Sequence, residues 1–389
     1  MYNNEIKEKF TNFIKNLYSE YDFIPLHAPV FLGKEKEYLN NCIETTFVSY
    51  VGKLVSDFEE AIKKYTGAKN AIAVVNGTVA LQIALSAVGV KPDSEVITQA
   101  LTFVATTNAI SHNYAKPIFL DVDKNNLGLS PENLLKWLKE NASYDINLKK
   151  TINKKSKKII SAVVPVHIFG HPCYIDDIIE IANQFEIAVV EDAAEAIGSF
   201  YKNKHAGTFA KIGILSFNGN KTVTTGGGGM ILTDDDDLAK YIRHITTTAK
   251  VNHPYEFVHD QIAYNFRMPN INAAVGFAQM EYIDFILKNK RETFELYKKF
   301  CYENDINIIN EPENSKSNFW LNALILDNIV QRNDFLEFSN SQKIQTRAIW
   351  RLMNMLDMYK DCQSDNLQNS VYFYERVVNI PSGVRNAKN

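Results

Sequence analysis

Between residues 70 and 192 the chain alternates short apolar runs with helical stretches. Segments 71–75, 95–98, 117–122, 159–166 and 187–190 read as buried strands. Segments 79–88, 103–111 and 175–185 read as helices, and Ser130-Pro131 opens another with proline at its first position. Strands separated by helices need crossover connections, which give a largely parallel sheet covered on both faces. The expected fold class is therefore α/β.

The flanking regions read differently. Ile6, Phe10, Phe13, Ile14 and Leu17 recur at helical spacing, so an N-terminal helix or arm is expected, followed by extended chain at Pro25 and Pro29. Segments 34–45 and 54–65 read as helices. Beyond residue 265 the alternation fades into a long helical stretch at 271–300, a strand at 319–325, a helix around 334–338 and a strand at 377–380. The expected organisation is an N-terminal arm (1–28) packing with a small domain, a large domain (29–262), and a smaller α+β C-terminal domain (263–389).

Charge and cysteine usage exclude several functions. The formal net charge is -3 over 389 residues, which implies no broad basic surface for nucleic acid. The lysine-rich stretch 141–158 lacks interleaved aromatic residues and reads as a solvated insertion. No apolar run approaches the ~20 residues that span a bilayer. The four cysteines are widely spaced and the N-terminus lacks a signal pattern, so a reducing cytoplasm is expected. His167, His171, His253 and His259 do not have zinc-site spacing, and no metal is expected.

Chemistry concentrates at the ends of the apolar runs. Asn76-Gly77-Thr78, between a strand and a helix, is either a capped helix start or a phosphate cradle. Glu191-Asp192 ends a strand, where a carboxylate caps a helix or pairs with a buried cation. Phe103 is either core or a ring that stacks on a flat ligand. Between Gly213 and Thr233 an apolar run, a polar turn with Lys221 and four glycines lead into a second apolar run, giving strand, loop and strand. A lysine can form an imine with an aldehyde cofactor, and an aspartate can hold that cofactor's ring nitrogen protonated.

Six segments in order resemble the pyridoxal-phosphate sugar aminotransferases of the DegT/DnrJ group. They are N-G-T-V-A-L (76–81), T-F-V-A-T-T-N-A-I (102–110), V-P-V-H-I-F-G-H-P (164–172), E-D-A-A-E-A-I-G (191–198), S-F-N-G-N-K (216–221) and Y-N-F-R-M-P-N-I-N-A-A-V-G (264–276). The resemblance implies the aspartate-aminotransferase-like fold (fold type I) and pyridoxal 5'-phosphate (PLP) as cofactor. It implies that Lys221 holds the cofactor covalently and moves the proton, that Asp192 pairs with the pyridine nitrogen, and that Glu195 lies near the phenolic oxygen. Gly77, Thr78 and Ser216 would hold the phosphate and Phe103 would stack on the ring. Asn265 resembles an asparagine that reaches the phosphate from another subunit, and Arg267 a partner arginine near the nucleotide-sugar phosphates. A homodimer with shared sites follows. Two positions depart from the family pattern: Glu195 stands where Gln or His is common, and Gly227 where Glu is common. Lys221 separates the chain from relatives that carry histidine there and act as dehydratases.

Segments 27–35, 46–53, 246–260, 345–353 and 379–382 look like the subgroup on the route to legionaminic acid or related bacterial glycans. That implies transfer of the amino group of L-glutamate to C4 of a UDP- or GDP-linked 2-acetamido-2,6-dideoxy-hexos-4-ulose. His167, Lys250, Arg347 and Trp350 are then candidate substrate contacts, with Arg267. The alternatives are an aminotransferase for another ketosugar, at C3 or on a non-acetylated perosamine-type sugar, and a PLP-binding regulatory protein without turnover.

Overall fold

The computed structural model describes residues 4–386. Residues 1–3 of the expected arm and 387–389 of the expected C-terminal domain lie outside that range. A seven-stranded sheet forms the centre: β1 (Asn70–Val74), β2 (Glu95–Gln99), β3 (Lys116–Leu120), β4 (Ile160–Val164), β5 (Ala188–Asp192), β6 (Ile212–Ser216) and β7 (Gly229–Thr233). Their spatial order is β1-β7-β6-β5-β4-β2-β3. Only β7 runs antiparallel to its neighbours. The sheet is thus mostly parallel with helices between strands, an α/β architecture.

Period-two alternation sorts the sheet's side chains into two cores. Ile72, Val74, Ile214 and Ile231 face one side, beneath α4 (Gly77–Ala87) and the helix Asp236–Thr246. Ala71, Ala73, Leu215, Met230 and Leu232 face the other, against Phe58 and Ile62 of α3 (Lys53–Thr66). Met268, Ala273 and Ile283 join this second core, although they follow the expected boundary at 262/263.

The long helical stretch expected at 271–300 is two helices, Asn270–Met280 and Ile283–Glu303. Tyr282 breaks it: its hydroxyl is held by Glu35, Gln279 and the Val30 carbonyl, which ties the junction to the 30–35 segment. The strand expected at 319–325 starts only at Asn322, because Phe319 takes φ +50°. The lysine-rich insertion forms a hairpin of Ala142–Asp145 and Lys150–Asn153.

A four-stranded antiparallel sheet, with Asn322–Ile325 and Val377–Ile380 at its centre, forms the second unit. Phe10 and Ile14 of α1 (Asn4–Leu17) pack there with Tyr297, Phe335, Leu324 and Val378. Two polar clasps join this unit to the large sheet. Asp121 accepts from the N–H groups of Asn369 and Ser370 and from the Ser370 hydroxyl. Asn318 donates to the carbonyls of Glu195 and Ile197. Among the described residues no helix is long and apolar enough to cross a membrane.

One close approach fixes the functional end of the sheet. Gly229 starts β7 and pairs with both Val74 and Ser216. A Cβ on Gly229 would lie 2.5 Å from the Asn76 carbonyl oxygen and 2.9 Å from the Gly77 nitrogen, both backbone atoms. The turn into α4 can therefore sit against the sheet only over a glycine. Gly229→Ala is expected to lower unfolding stability by about 3 kcal/mol, read by urea denaturation.

Candidate active site

The carboxyl ends of β1, β5 and β6 open into a cavity of about 310 Å³. This is where an open α/β sheet binds its ligands. Its wall includes Gly77, Thr78, Phe103, Asp192, Glu195, Ser216, Lys221 and Trp350, so eight residues singled out in the sequence converge there.

The N-terminus of α4 forms one end. The Asn76 side chain accepts from the Val79 N–H and caps the helix. The N–H groups of Gly77 and Thr78 open the helix, where no intrahelical acceptor exists. A Cβ on Gly77 would stand 2.8 Å from the Ser216 Cβ, so glycine lets the helix end close on the Ser216 hydroxyl. Two backbone donors, a hydroxyl and the positive end of a helix make an anion cradle. The cap is present, and it is compatible with the cradle that the sequence offers as the alternative.

Asp192 and Glu191 end β5 on opposite faces. Asp192 lines the cavity, accepting from the Thr106 hydroxyl at 2.8 Å and the Ala194 N–H at 3.2 Å. Glu191 points behind the sheet, accepting from the N–H groups of Gly207, Phe209 and Ala210. Burial pushes the Asp192 carboxyl above the usual range, against Thr106, Ala194 and the charge of Lys221. Burial likewise raises Glu195, opposed by Lys221 and by the Phe169 N–H donated to it at 2.8 Å. The Lys221 amine lies 3.4 Å from Glu195 and 3.8 Å from the centroid of the Trp320 ring. Phe103 is half-exposed at the rim, its ring centroid 6.2 Å from that of Trp350.

Five sequence candidates do not line the cavity. His167 is a correction: it is fully buried with Glu191, its Nδ1 accepting the Cys173 N–H and its Nε2 3.1 Å from the Glu191 carboxylate. Val166 takes the cavity side, and the next residue in an extended chain points the other way. Arg267 is buried and pairs with Glu59 at 2.7 Å in its own chain. Asn265, Lys250 and Arg347 are exposed. Asn265 bridges to Thr247, and Lys250 sits in a hairpin of Lys250–Val251 and Val258–His259.

Thr106, Asn218, Asn220 and Trp320 also line the cavity and were not singled out in the sequence. Thr106 had a signal: it stands one helical turn after Thr102, whose hydroxyl it meets at 3.0 Å. Trp320 had none, because it arrives from the second unit.

The residues fit PLP in their chemistry. The cradle suits a phosphate, the Lys221 amine an aldehyde, and a desolvated carboxylate a protonated ring nitrogen. The sign of the Asp192 shift carries a consequence. Its folded pKa is raised, so the native state holds the proton longer than the unfolded chain, and stability falls as pH rises above the unfolded value near 3.8. Asp192→Asn is therefore expected to raise the melting temperature of the cofactor-free chain at pH 7. The gain should shrink as pH falls toward 4, and cofactor affinity should drop; calorimetry and cofactor titration read these.

Comparison with known proteins places these features. The model for the DegT/DnrJ/EryC1/StrS aminotransferase family matches residues 32–388. A GDP-perosamine synthase of Escherichia coli O157:H7 is 35% identical over 87% of this chain and 88% of its own. A GDP-perosamine synthase of Vibrio cholerae is 34% identical over 92% and 94%. Helicobacter pylori PseC, an aminotransferase involved in the biosynthesis of pseudoaminic acid, superposes with a TM-score of 0.83 at 21% identity, covering 92% and 94%, and so shares the fold.

Proposed function

The chain belongs to the DegT/DnrJ/EryC1/StrS aminotransferase family, and from that membership we propose that it moves the amino group of L-glutamate to C4 of a nucleotide-linked 4-keto-6-deoxy sugar. It is a PLP-dependent aminotransferase of the fold-type-I architecture. The observation that carries the reading is the convergence of Lys221, Asp192, Glu195, Ser216 and the α4 N-terminus on one cavity. Bound there, PLP supplies an aldehyde that takes up amino groups and a protonated ring that withdraws electrons.

The chain's own residues do the rest. The N–H groups of Gly77 and Thr78 and the Ser216 hydroxyl would hold the phosphate, and Phe103 would stack on the ring. Asp192, oriented by Thr106, would keep the ring nitrogen protonated. Glu195 would lie near the phenolic oxygen. The Lys221 amine takes a proton from the donor's Cα and returns one at the sugar's C4, a role that needs a base within hydrogen-bond reach of the reacting carbon. Trp350 beside Phe103 offers an apolar face to the sugar.

For the sugar, the segments at 27–35, 46–53, 246–260, 345–353 and 379–382 support the 2-acetamido-2,6-dideoxy-hexos-4-ulose linked to UDP or GDP, on a legionaminic acid-type route. The names of the Escherichia coli and Vibrio cholerae relatives support a second reading, a GDP-linked perosamine-type sugar without the acetamido group.

The active unit on this reading is a homodimer. Asn265, Lys250 and Arg347 lie outside their own chain's cavity, and the chain between Lys250 and Asn265 exposes Tyr255 (93%), Phe257 (82%) and Ile262 (98%). A second copy covers such apolar side chains and receives the polar ones. Mixing Lys221→Ala with Asn265→Ala chains is then expected to restore part of the activity that each lacks alone, since one site in the mixed dimer is intact.

Glutamate and a panel of UDP- and GDP-ketosugars, read by product mass, test the substrate. Turnover of the acetamido 4-ketosugars is expected; turnover of the perosamine precursor alone selects the second reading, and turnover of neither overturns both. Lys221→Ala is expected to lose at least about a hundredfold in rate. In the parent, borohydride should fix the cofactor's mass on the Lys221 peptide, and in the variant on none.

A further inference from the structure

We propose that Trp320 is a positioning residue for Lys221, its indole face holding the amine beside Glu195. Two contacts from one side chain support this. The Lys221 amine sits 3.8 Å from the ring centroid, well within cation–π reach. The indole N–H donates at 2.7 Å to the carbonyl of Asn220, the residue before Lys221. Trp320 thus grips both the head group of Lys221 and the backbone from which it springs.

The support behind Trp320 is built. Its backbone N–H donates to Asn318 Oδ1, and Asn318 in turn holds the carbonyl of Glu195. Its carbonyl accepts from Lys290, a buried amine that also donates to the Ser382 carbonyl. Phe319 takes φ +50° and stacks on Phe294 with ring centroids 4.0 Å apart. A non-glycine residue holds that conformation only when its surroundings fix it, and here it turns the chain just before Trp320. The same asparagine therefore places both partners of the lysine, the acid and the aromatic face.

Other charges reach the Lys221 amine. Asp192 and Glu195 face it from the large sheet. His27 comes from the N-terminal arm; burial and the charges of Lys290 and Lys221 hold its ring well below the usual histidine range. Burial brings Lys290, on the helix Ile283–Glu303, down to about 7. The indole face and the Glu195 carboxylate are the groups in contact with the amine.

The inference rests on Lys221 as the reactive lysine, but its test reads the amine itself. Acetic anhydride labelling of the full chain freed of cofactor gives the reactivity of Lys221 by mass spectrometry, relative to the exposed Lys299. Trp320→Leu is expected to raise that relative reactivity roughly tenfold at pH 7, because the amine loses the electron-rich face that holds it. Trp320→Phe keeps an aromatic face and should stay close to parent. Fluorinated tryptophans placed at position 320 keep the shape, weaken the ring's negative face and should raise reactivity with each added fluorine, even where the leucine variant fails to fold. Fluorination without effect, or a phenylalanine variant that behaves like leucine, would mean simple uncovering and would overturn the proposal. Failure of borohydride to fix the cofactor on Lys221 would instead overturn the assignment of the lysine.

Discussion

One cavity at the sheet's carboxyl edge buries two carboxylates, Asp192 and Glu195, and a single amine close to them, Lys221. Everything else at the site answers the imbalance this creates. Buried acids are held up toward their neutral forms unless a cation or donors meet them. Glu195 has Lys221 and the Phe169 N–H. Among the described residues Asp192 has a hydroxyl, one N–H and the more distant charges of Lys221 and His167. A ligand that brings a cationic ring nitrogen to Asp192 and an anionic group to the α4 N-terminus relieves both ends at once. The same arrangement costs stability when nothing is bound, and it is tolerated because the sheet beneath is apolar on both faces.

Backbone geometry makes this edge possible. Gly229 and Gly77 remove the two Cβ atoms that would hold α4 away from β6 and β7. The antiparallel β7 places its glycine start between the ends of β1 and β6. Its reversed direction therefore has a local use: a parallel strand there would begin at the far edge and bring no glycine to the cradle. The second unit then closes the wall with Trp320 and Trp350, fastened by Asn318 and Asp121.

Local pattern carried much of this into the sequence. The alternation from 70 to 192 gave the parallel sheet, and strand ends gave Asp192 and Gly77-Thr78, because ligands gather where parallel strands stop. Lys221 owed its assignment to a family resemblance, since a lysine before glycines has no geometry of its own. Face was less legible than position. His167 sits one residue past Val166, and a one-residue step in extended chain moves a side chain from cavity to core. Trp320 was not legible at all, because its place depends on Phe319 in a left-handed conformation and on contacts spanning 100 residues to Asn220. The break at Tyr282 was hidden for the same reason: its partner Glu35 is remote in sequence.

The cofactor side and the sugar side of the site are built on different terms. The proposed phosphate cradle, ring partner and lysine line one chain's cavity, and only Asn265 of a second copy is proposed to add to the cradle. The proposed sugar contacts Lys250 and Arg347 lie at the surface, and Lys250 rests against Phe257 on a hairpin of two residue pairs. Fixed chemistry with peripheral recognition allows one reaction to serve many ketosugars, because loops change at little cost to the core. The residues proposed to perform the transfer are tied to the fold, whereas Lys250 and Arg347, proposed to read the sugar nucleotide, lie on the surface.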